Sequence, residues 1–158
     1  MESAAITGQC YCGAVKFELT GDPMMNALCH CRWCSSSMGM CPVHLMLFPD
    51  AQWKITEGED KLNKYEGNGK LRTYKCKECG SGVCQGPEGA AFRAFYPRYF
   101  NGYIEGKTNI LPDAWKPKVH VNYENRTWDY NDEIPKFAAF PPENPLNSDG
   151  TPKIAAAE

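Results

Sequence analysis

The chain has 158 residues, of which 42% are hydrophobic and 23% are charged. This length suits one ordinary domain, and the composition is typical of a folded globular protein rather than a disordered or membrane one. Seventeen basic and nineteen acidic residues give a formal net charge of −2 without a basic block, which argues against a nucleic acid as partner.

The sequence shows no signal for membrane insertion or secretion. No apolar run approaches the roughly 20 residues of a spanning helix, and the first residues lack the basic flank and apolar stretch of a secretory signal. We therefore expect a cytoplasmic protein without membrane contact. Its nine cysteines would then be reduced thiols, which favours metal binding or catalysis over a secreted disulfide domain.

Short apolar or alternating segments between turn residues predict β structure from Gly8 to about Tyr130. The predicted strands, in chain order, are Ala14–Leu19, Val43–Phe48, Trp53–Thr56, Leu71–Lys75, Gly82–Gln85, Ala91–Tyr96 and Lys118–Asn122. Helical periodicity is not sustained over three turns, so helices are expected only as short pieces near Arg32–Met38 and Tyr99–Tyr103. The predicted fold class is all-β, built from antiparallel sheets.

After Ile134 the composition changes, because five prolines interrupt the last 24 residues. Proline cannot donate to a sheet ladder, so this part is expected to be a tail rather than sheet. We predict a zinc-binding domain over residues 7–137 and a Pro/Ala-rich C-terminal tail over residues 138–158.

Two cysteine pairs predict a closed metal site. A C-x-x-C turn at Cys76 and Cys79 folds two thiolates toward one point, and Gly80 permits the left-handed backbone behind it. Residues i and i+2 of a strand share a face, so Cys10 and Cys12 present two sulfurs together. Joining the pairs gives a tetrahedral four-cysteine zinc site with a structural role. The alternative is two redox-active or buried thiol pairs.

A third cluster predicts a metal site of a different kind. Cys29, Cys31 and Cys34 supply three ligands within six residues and leave a fourth position open, as in catalytic zinc sites. The alternative is a closed site completed by Cys41 or His30. We expect His30, between two ligands, to lie beside the ligands or to face solvent.

Iron–sulfur clusters are disfavoured because spacings such as C-x₂-C-x₂-C are absent. The remaining cysteine, Cys84, is in a predicted strand and is expected to be a small buried hydrophobic residue.

Several segments are similar to the signature motifs of one known family. Gly8–Phe17 is similar to its opening G-x-C-x-C-G-x-V-x-F motif, and Cys29–Cys34, with Gly39 following, is similar to its C-H-C-x-x-C motif. Further matches, in the same order, are Tyr65, Cys76–Ser81, Pro117–His120, Trp128, Ile134–Pro135 and Phe137. Over about Thr7–Phe137 the chain resembles the glutathione-dependent formaldehyde-activating enzymes, a family that includes centromere protein V.

The resemblance implies a β-tent of antiparallel sheets organised around zinc, and a carbon–sulfur lyase activity with glutathione as co-substrate and formaldehyde as electrophile. It implies one structural zinc on Cys10, Cys12, Cys76 and Cys79 and one catalytic zinc on Cys29, Cys31 and Cys34. The chain departs from the family pattern at Lys75, where an aromatic residue is common, and at Ser35–Met38, which is more basic in relatives. These departures concern the substrate rather than the metal sites.

Other residues are weaker candidates for binding glutathione or transferring protons. The carboxylates of glutathione require cationic partners, and Arg32 is the first candidate, with Arg93 and Arg98 behind it. Candidate proton-transfer residues are His30, Tyr96 and His120. Two other functions stay open: a pathway-specific lyase that acts on a larger thiol adduct, and a zinc-stabilised binding module without turnover.

Overall fold

The computed structural model describes residues 5–67, 69–104 and 110–154. These residues form two compact units that alternate along the chain. The first unit combines the residues up to Met25 with Leu45–Lys116, and the second combines Asn26–His44 with the residues from Pro117 onward.

The strands are β1 (Ile6–Gln9), β2 (Lys16–Leu19), β3 (Met25–Cys29), β4 (Val43–Pro49), β5 (Trp53–Glu57), β6 (Leu62–Tyr65), β7 (Leu71–Cys76), β8 (Gly82–Pro87), β9 (Phe92–Phe95), β10 (Val119–Val121), β11 (Lys136–Phe137) and β12 (Pro145–Leu146). The α-helices are α1 (Arg32–Met38) and α2 (Asn101–Ile104). Single 3₁₀ turns cover Asp50–Gln52, Glu59–Lys61, Pro97–Tyr99, Asp113–Trp115 and Tyr123–Asn125. No helix in the described part of the chain has the length and hydrophobicity that a membrane crossing requires.

The first unit consists of antiparallel strands. One sheet has the order β1-β2-β5, and further strands hydrogen-bond in the order β4-β9-β8-β7-β6. Alternation along β2 buries Phe17 and Leu19, because successive side chains of a strand point to opposite faces.

Aromatic rings fill the core of the first unit. Phe17 is 1% exposed and packs against Phe95 and Phe100, with ring centroids 5.1 and 6.3 Å apart. Gly8 lies directly beneath the Phe17 ring, and a Cβ at this position would collide with the ring and with the Tyr99 carbonyl. Only glycine allows β1 to approach the core this closely.

The second unit is built on short parallel pairs. β10 is parallel to β3, where Val121 pairs with Cys29, and also parallel to β11, where His120 pairs with Lys136. β12 then pairs with β11 in the antiparallel sense. This register places His120 next to β3, the strand that ends at Cys29.

The all-β fold class predicted from the sequence is confirmed. Each of the seven predicted strand segments contains a strand, and the first predicted helix coincides with α1. The second predicted helix is found as a 3₁₀ turn followed by α2. The strands β1, β3, β6, β11 and β12 were not predicted, and the parallel pairs of β10 depart from the purely antiparallel expectation.

The segment after Ile134 is more structured than its prolines predict, since it contains β11 as well as β12. Pro145 and Leu146 form β12, and Leu146 also bridges Pro152. The expectation that this segment would contain no sheet is therefore wrong. Pro145 is tolerated because Phe137 is opposite it in a two-residue strand, where few ladder donors are needed. The domain boundary at residue 137 stays a prediction.

Candidate metal centres

Two glycine-backed turns build the first cysteine group. After β1 the amide of Gly13 donates to the Cys10 carbonyl at 2.9 Å, and after β7 the amide of Gly80 donates to the Cys76 carbonyl at 2.9 Å. Both glycines have the left-handed backbone, with φ of 76° and 74°. Each turn therefore returns a second cysteine toward the first one, as the sequence predicts for Cys79. The expectation that Cys10 and Cys12 share the face of a strand is wrong, because β1 ends at Gln9 and a turn brings the two sulfurs together.

We call Cys10, Cys12, Cys76 and Cys79 the four-cysteine group; their sulfurs all lie within 4.8 Å of one another. The Cys12 sulfur is 3.6 Å from that of Cys10 and 3.9 Å from that of Cys76. Sulfurs bound at about 2.3 Å to a tetrahedral zinc are separated by about 3.8 Å. The Val15 amide also donates to the Cys10 sulfur at 3.2 Å. The donor set and its spacing fit a metal ion that prefers thiolates.

The second cysteine group spans the end of β3 and the start of α1. Cys29 ends β3, Cys31 caps α1, and Cys34 is buried in its first turn. The Cys34 amide donates to the Cys31 sulfur at 3.3 Å, as expected of an N-cap. All three sulfurs lie within 4.8 Å of one another. We call this set the three-cysteine group, and it too fits a thiolate-bound metal.

The three thiols of the three-cysteine group differ in the direction in which their pKa values are shifted. Hydrogen bonds with Cys29 and Cys34 lower the pKa of Cys31 to about 2, whereas hydrogen bonding to Cys31 raises the pKa of Cys29 to about 11. Hydrogen bonding to Cys29 likewise raises the pKa of Cys34. Without metal the group therefore holds one thiolate and two thiols at neutral pH. The Asn122 amide donates to the Cys29 sulfur at 3.6 Å, a contact that would stabilise a thiolate at Cys29 with a metal bound.

Cys41 and His30 do not complete the three-cysteine group. Neither belongs to the set of sulfur and nitrogen atoms that lie within 4.8 Å of one another. Instead, the Cys41 sulfur lies 3.7 Å from His30 Nδ1, and His30 Nε2 lies 2.8 Å from His120 Nδ1. Among the described residues, three donor atoms therefore converge in this group and not four.

The contact between the two histidines extends to an ion pair. His120 Nε2 lies 3.0 Å from an oxygen of Asp132, and the Lys136 ammonium donates to that carboxylate at 2.7 Å. We call Cys41, His30, His120, Asp132 and Lys136 the histidine chain. His30 and His120 are 1% and 0% exposed, so side-chain polar groups are linked through the interior of the second unit.

Burial sets the protonation of this chain. Burial lowers the pKa of His30 to about 4 and also lowers the pKa of His120, so both imidazoles are neutral at pH 7. Burial alone would raise the pKa of Asp132, but hydrogen bonds from Lys136 and His120 outweigh it and lower the pKa. Asp132 is therefore a carboxylate.

Comparison with known proteins agrees with these cysteine groups. The family model of the glutathione-dependent formaldehyde-activating enzymes matches residues 5–125. The chain belongs to this family. Residues of both cysteine groups and of the histidine chain up to His120 lie within the matched range.

Two individual proteins are similar to this member of the formaldehyde-activating family. A protein of Emericella nidulans, named as a candidate glutathione-dependent formaldehyde-activating enzyme, is 32% identical over 73 residues, or 45% of this chain and 37% of the relative. The chain thus spans little more than a third of that relative's length. A crystal structure of a Rhodobacter sphaeroides protein matches 61% of this chain and 88% of its own, with a TM-score of 0.51 and 18% identity. This second match concerns the fold alone.

The remaining predicted site residues of this family member fall into both units. Arg32 begins α1 beside the three-cysteine group and is exposed. Arg93 is buried in the first unit, where it donates to the Phe92 carbonyl at 2.8 Å, and Arg98 donates to Tyr103.

Tyr96 is also buried in the first unit. Its hydroxyl donates to the Gln85 side chain at 2.9 Å, so it stays a weak candidate for proton transfer. Cys84 is 1% exposed, which confirms the prediction of a buried hydrophobic residue, and burial raises its pKa to about 12.

Sequence reasoning did not single out Asp132, Lys136 or Asn122. His30 was expected to lie beside the ligands or to face solvent; it is 1% exposed and therefore does not face solvent, and its side chain contacts Cys41 and His120. One signal for the contact between the histidines was available in the sequence. His30 directly follows a short apolar strand and His120 lies within another, so two adjacent strands could bring them together although 90 residues separate them.

Proposed function

We propose that this protein forms or cleaves a carbon–sulfur bond between glutathione, or a related thiol, and a carbonyl electrophile such as formaldehyde. This would make it a carbon–sulfur lyase. The observation that carries the proposal is the three-cysteine group, because its three sulfurs converge while Cys41 and His30 are held by other partners. Membership of the formaldehyde-activating family supports glutathione as the thiol.

The two cysteine groups would bind two zinc ions with different roles. We assign a structural zinc to the closed four-cysteine group, which links β1 to the turn after β7. We assign the catalytic zinc to Cys29, Cys31 and Cys34. When bound there, zinc would supply a fourth position that takes up a thiol and stabilises its thiolate at neutral pH.

The protein's own residues would limit the chemistry at this position. Three cysteine thiolates outweigh the charge of Zn²⁺, so the site is poorly suited to ionising water and better suited to holding a substrate sulfur. Arg32 is exposed in the first turn of α1, two residues before Cys34. We assign it to a carboxylate of glutathione, since guanidinium groups bind carboxylates with paired hydrogen bonds.

A lyase for a larger thiol adduct is the second candidate. Trp33, Met40 and Trp128 are among the large apolar side chains of the second unit that are strongly exposed, with exposed fractions of 51%, 55% and 58%. Trp33 lies between two of the cysteine ligands in sequence, and Met40 precedes Cys41. Exposed apolar surface of this kind favours a bulkier carbon partner than formaldehyde.

Calorimetric titration of glutathione into the zinc-loaded protein tests the proposal. We expect binding to the wild type, no binding to Cys31→Ser, and unchanged binding to the control Cys84→Ala, whose thiol is buried away from both cysteine groups. Binding to Cys31→Ser at wild-type affinity would refute a thiol-accepting zinc. Failure of both proteins to bind glutathione would favour a different thiol or a binding module without turnover.

A further inference from the structure

Asn122 has a backbone conformation that residues other than glycine seldom adopt. Its φ and ψ are 53° and 37°, in the left-handed region, where a side chain crowds the following carbonyl group. Asparagine tolerates this region better than most residues, but glycine would avoid the strain altogether. Among the described residues other than glycine, only Asn144 shares a positive φ. A strained backbone beside a candidate metal centre points to a function for the side chain that it carries.

Asn122 lies where two parallel strands end side by side. Val121, the last residue of β10, pairs with Cys29, the last residue of β3. Asn122 therefore leaves the sheet at the level of the first ligand of the three-cysteine group. Its side-chain amide donates to the Cys29 sulfur at 3.6 Å. The left-handed turn thus directs a hydrogen-bond donor at a candidate metal ligand.

Backbone hydrogen bonds hold Asn122 in this conformation from both sides. Its amide donates to the Ala139 carbonyl at 2.7 Å, and its carbonyl accepts from the Asn125 amide at 3.0 Å. The next residue, Tyr123, is 0% exposed, and its hydroxyl donates to the Ser148 carbonyl at 2.7 Å. Ala139 and Ser148 lie beyond the range that the family model matches. The C-terminal segment of this chain therefore contributes to the support of Asn122.

A hydrogen bond to a metal-bound thiolate has two physical effects. It offsets part of the negative charge on the sulfur, which matters where three thiolates surround one divalent ion. It also fixes the direction of the sulfur, and with it the place of the metal. The Cys31 sulfur receives a comparable bond from the Cys34 amide at 3.3 Å. The first two ligands of the group are thus each held by a donor, one from β10 and one from α1.

We propose that Asn122 is a positioning residue for the metal of the three-cysteine group, and that its strained conformation is retained because it directs the side-chain amide at Cys29. Asn122 contacts a ligand and acts on the metal only through that ligand. The inference rests on the proposed function for its metal at Cys29, Cys31 and Cys34, but it does not depend on the identity of the thiol or of the electrophile.

Asn122→Gly tests the side chain separately from the backbone. Glycine adopts the left-handed conformation without strain, and it keeps the amide that donates to Ala139, so the fold should be retained. We expect zinc to be bound about 10–100-fold more weakly at the three-cysteine group and with unchanged affinity at the four-cysteine group. Competition with a chromophoric chelator measures both affinities in one chain, and Cys31→Ser identifies which affinity belongs to which group. Unchanged affinities at both groups would show that only the backbone matters, and would overturn the proposal.

Asn144→Gly is the matched control. It makes the same replacement at the same backbone conformation, since Asn144 has a φ of 52°, but at an exposed position of the C-terminal segment. Zinc affinity at both groups should stay at the wild-type value. A loss at the three-cysteine group as large as that in Asn122→Gly would assign the effect to chain flexibility and would contradict a specific donor at Cys29.

A second measurement uses the wild type and does not depend on how a variant folds. In protein loaded with cadmium-113, an N–H group that donates to a metal-bound sulfur shows a scalar coupling between its proton and the metal. We expect this coupling for the side-chain amide of Asn122. The backbone amides of Cys34 and Val15, which donate to the sulfurs of Cys31 and Cys10, provide the reference. Couplings at these two amides without one at Asn122 would overturn the proposal.

The outcomes separate this inference from the proposed function. One zinc ion per chain in the wild type would refute the metal assignment on which both depend. Two zinc ions with wild-type affinities in Asn122→Gly would overturn only the role of Asn122. Neither measurement uses a substrate, so failure of the carbon–sulfur lyase proposal would appear in the glutathione titration and not here.

Discussion

The first unit buries aromatic and aliphatic side chains, whereas the second unit buries hydrogen-bonding and charged groups. In the first unit Phe17, Phe48 and Phe95 are almost completely buried around β2, β4 and β9. In the second unit His120 and Lys136 have comparable burial. Apolar packing gains free energy from area alone, about 25 cal/mol for each Å². A buried polar chain gains little, and it is costly if one partner is lost.

This difference suggests a division of labour between the units. The first unit, with its apolar core and four-cysteine group, provides stability. The second unit has no comparable cluster of apolar residues among those described, and its interior instead holds the histidine chain. Four predictions test this comparison.

The largest effect is expected at the four-cysteine group. Cys76→Ser should lose one of two zinc ions together with the fold of the first unit, because binding free energy at a structural zinc is also folding free energy, on the order of 10 kcal/mol. Cys31→Ser should lose one zinc with most of the structure retained. Zinc analysis measures the metal content of the two variants, and circular dichroism measures their remaining structure. Equal unfolding of the two variants would refute the division into a structural and a catalytic zinc.

A large effect is also expected in the apolar core. Phe17→Ala should lower the free energy of unfolding by about 3–5 kcal/mol, since it removes a ring that contacts Phe95 and Phe100 and leaves a cavity. Urea unfolding at saturating zinc gives the value. Phe140→Ala, at a side chain that is 54% exposed, is the control and should change it by less than about 0.5 kcal/mol.

The polar centre of the second unit should respond to pH. The pKa of His30 is about 4 in the folded protein and about 6.5 in an unfolded chain, so the unfolded state binds more protons between these values. The contribution of the neutral His30 to the free energy of unfolding is fully present above pH 6.5. Up to about 3 kcal/mol of it is lost as the pH falls to 4. NMR titration of the His30 ring in the zinc-loaded protein should show no inflection above pH 5. An inflection near 6.5 would contradict the buried, neutral imidazole.

The smallest effect is expected at the exposed surface of the second unit. Arg32→Met should raise KM for glutathione about tenfold and change kcat by less than about twofold, because a carboxylate contact away from the reacting atoms contributes uniform binding. Steady-state kinetics measure both constants. Lys118→Met, at another exposed cation of the same unit, is the control. If Arg32→Met changed kcat and left KM unchanged, Arg32 would not bind a carboxylate of glutathione.

Local sequence patterns predicted the parts of the molecule that local chemistry determines. The cysteine spacings predicted both groups, since each turn is closed by hydrogen bonds within a few residues. The limits of α1 were also predicted, and the helix ends at Gly39 with a φ of 66°. By contrast, β3 has the sequence MNALC, which does not alternate, so its strand character depends on pairing with β10.

The histidine chain could not be predicted, because it depends on contacts between distant parts of the sequence. His30 and His120 are separated by 90 residues. Asp132 lies outside any strand or helix, in a segment where charged residues are usually solvated, and no local pattern indicates that it faces a buried imidazole. Only the parallel register of β10 with β3 and β11 brings these residues together.

The alternation of the two units along the chain has a consequence for synthesis on the ribosome. Cys10 and Cys12 emerge more than sixty residues before Cys76, and β3 can pair with β10 only after more than ninety further residues have been made. The second unit therefore cannot fold until the first has been made, whereas every residue of the first unit is present once Lys116 has been added. Most of the thiols leave the ribosome unprotected, and pairing at such sequence separation is slow. The thiols of the second unit should accordingly be the most vulnerable to oxidation, until β10 and β11 have been released.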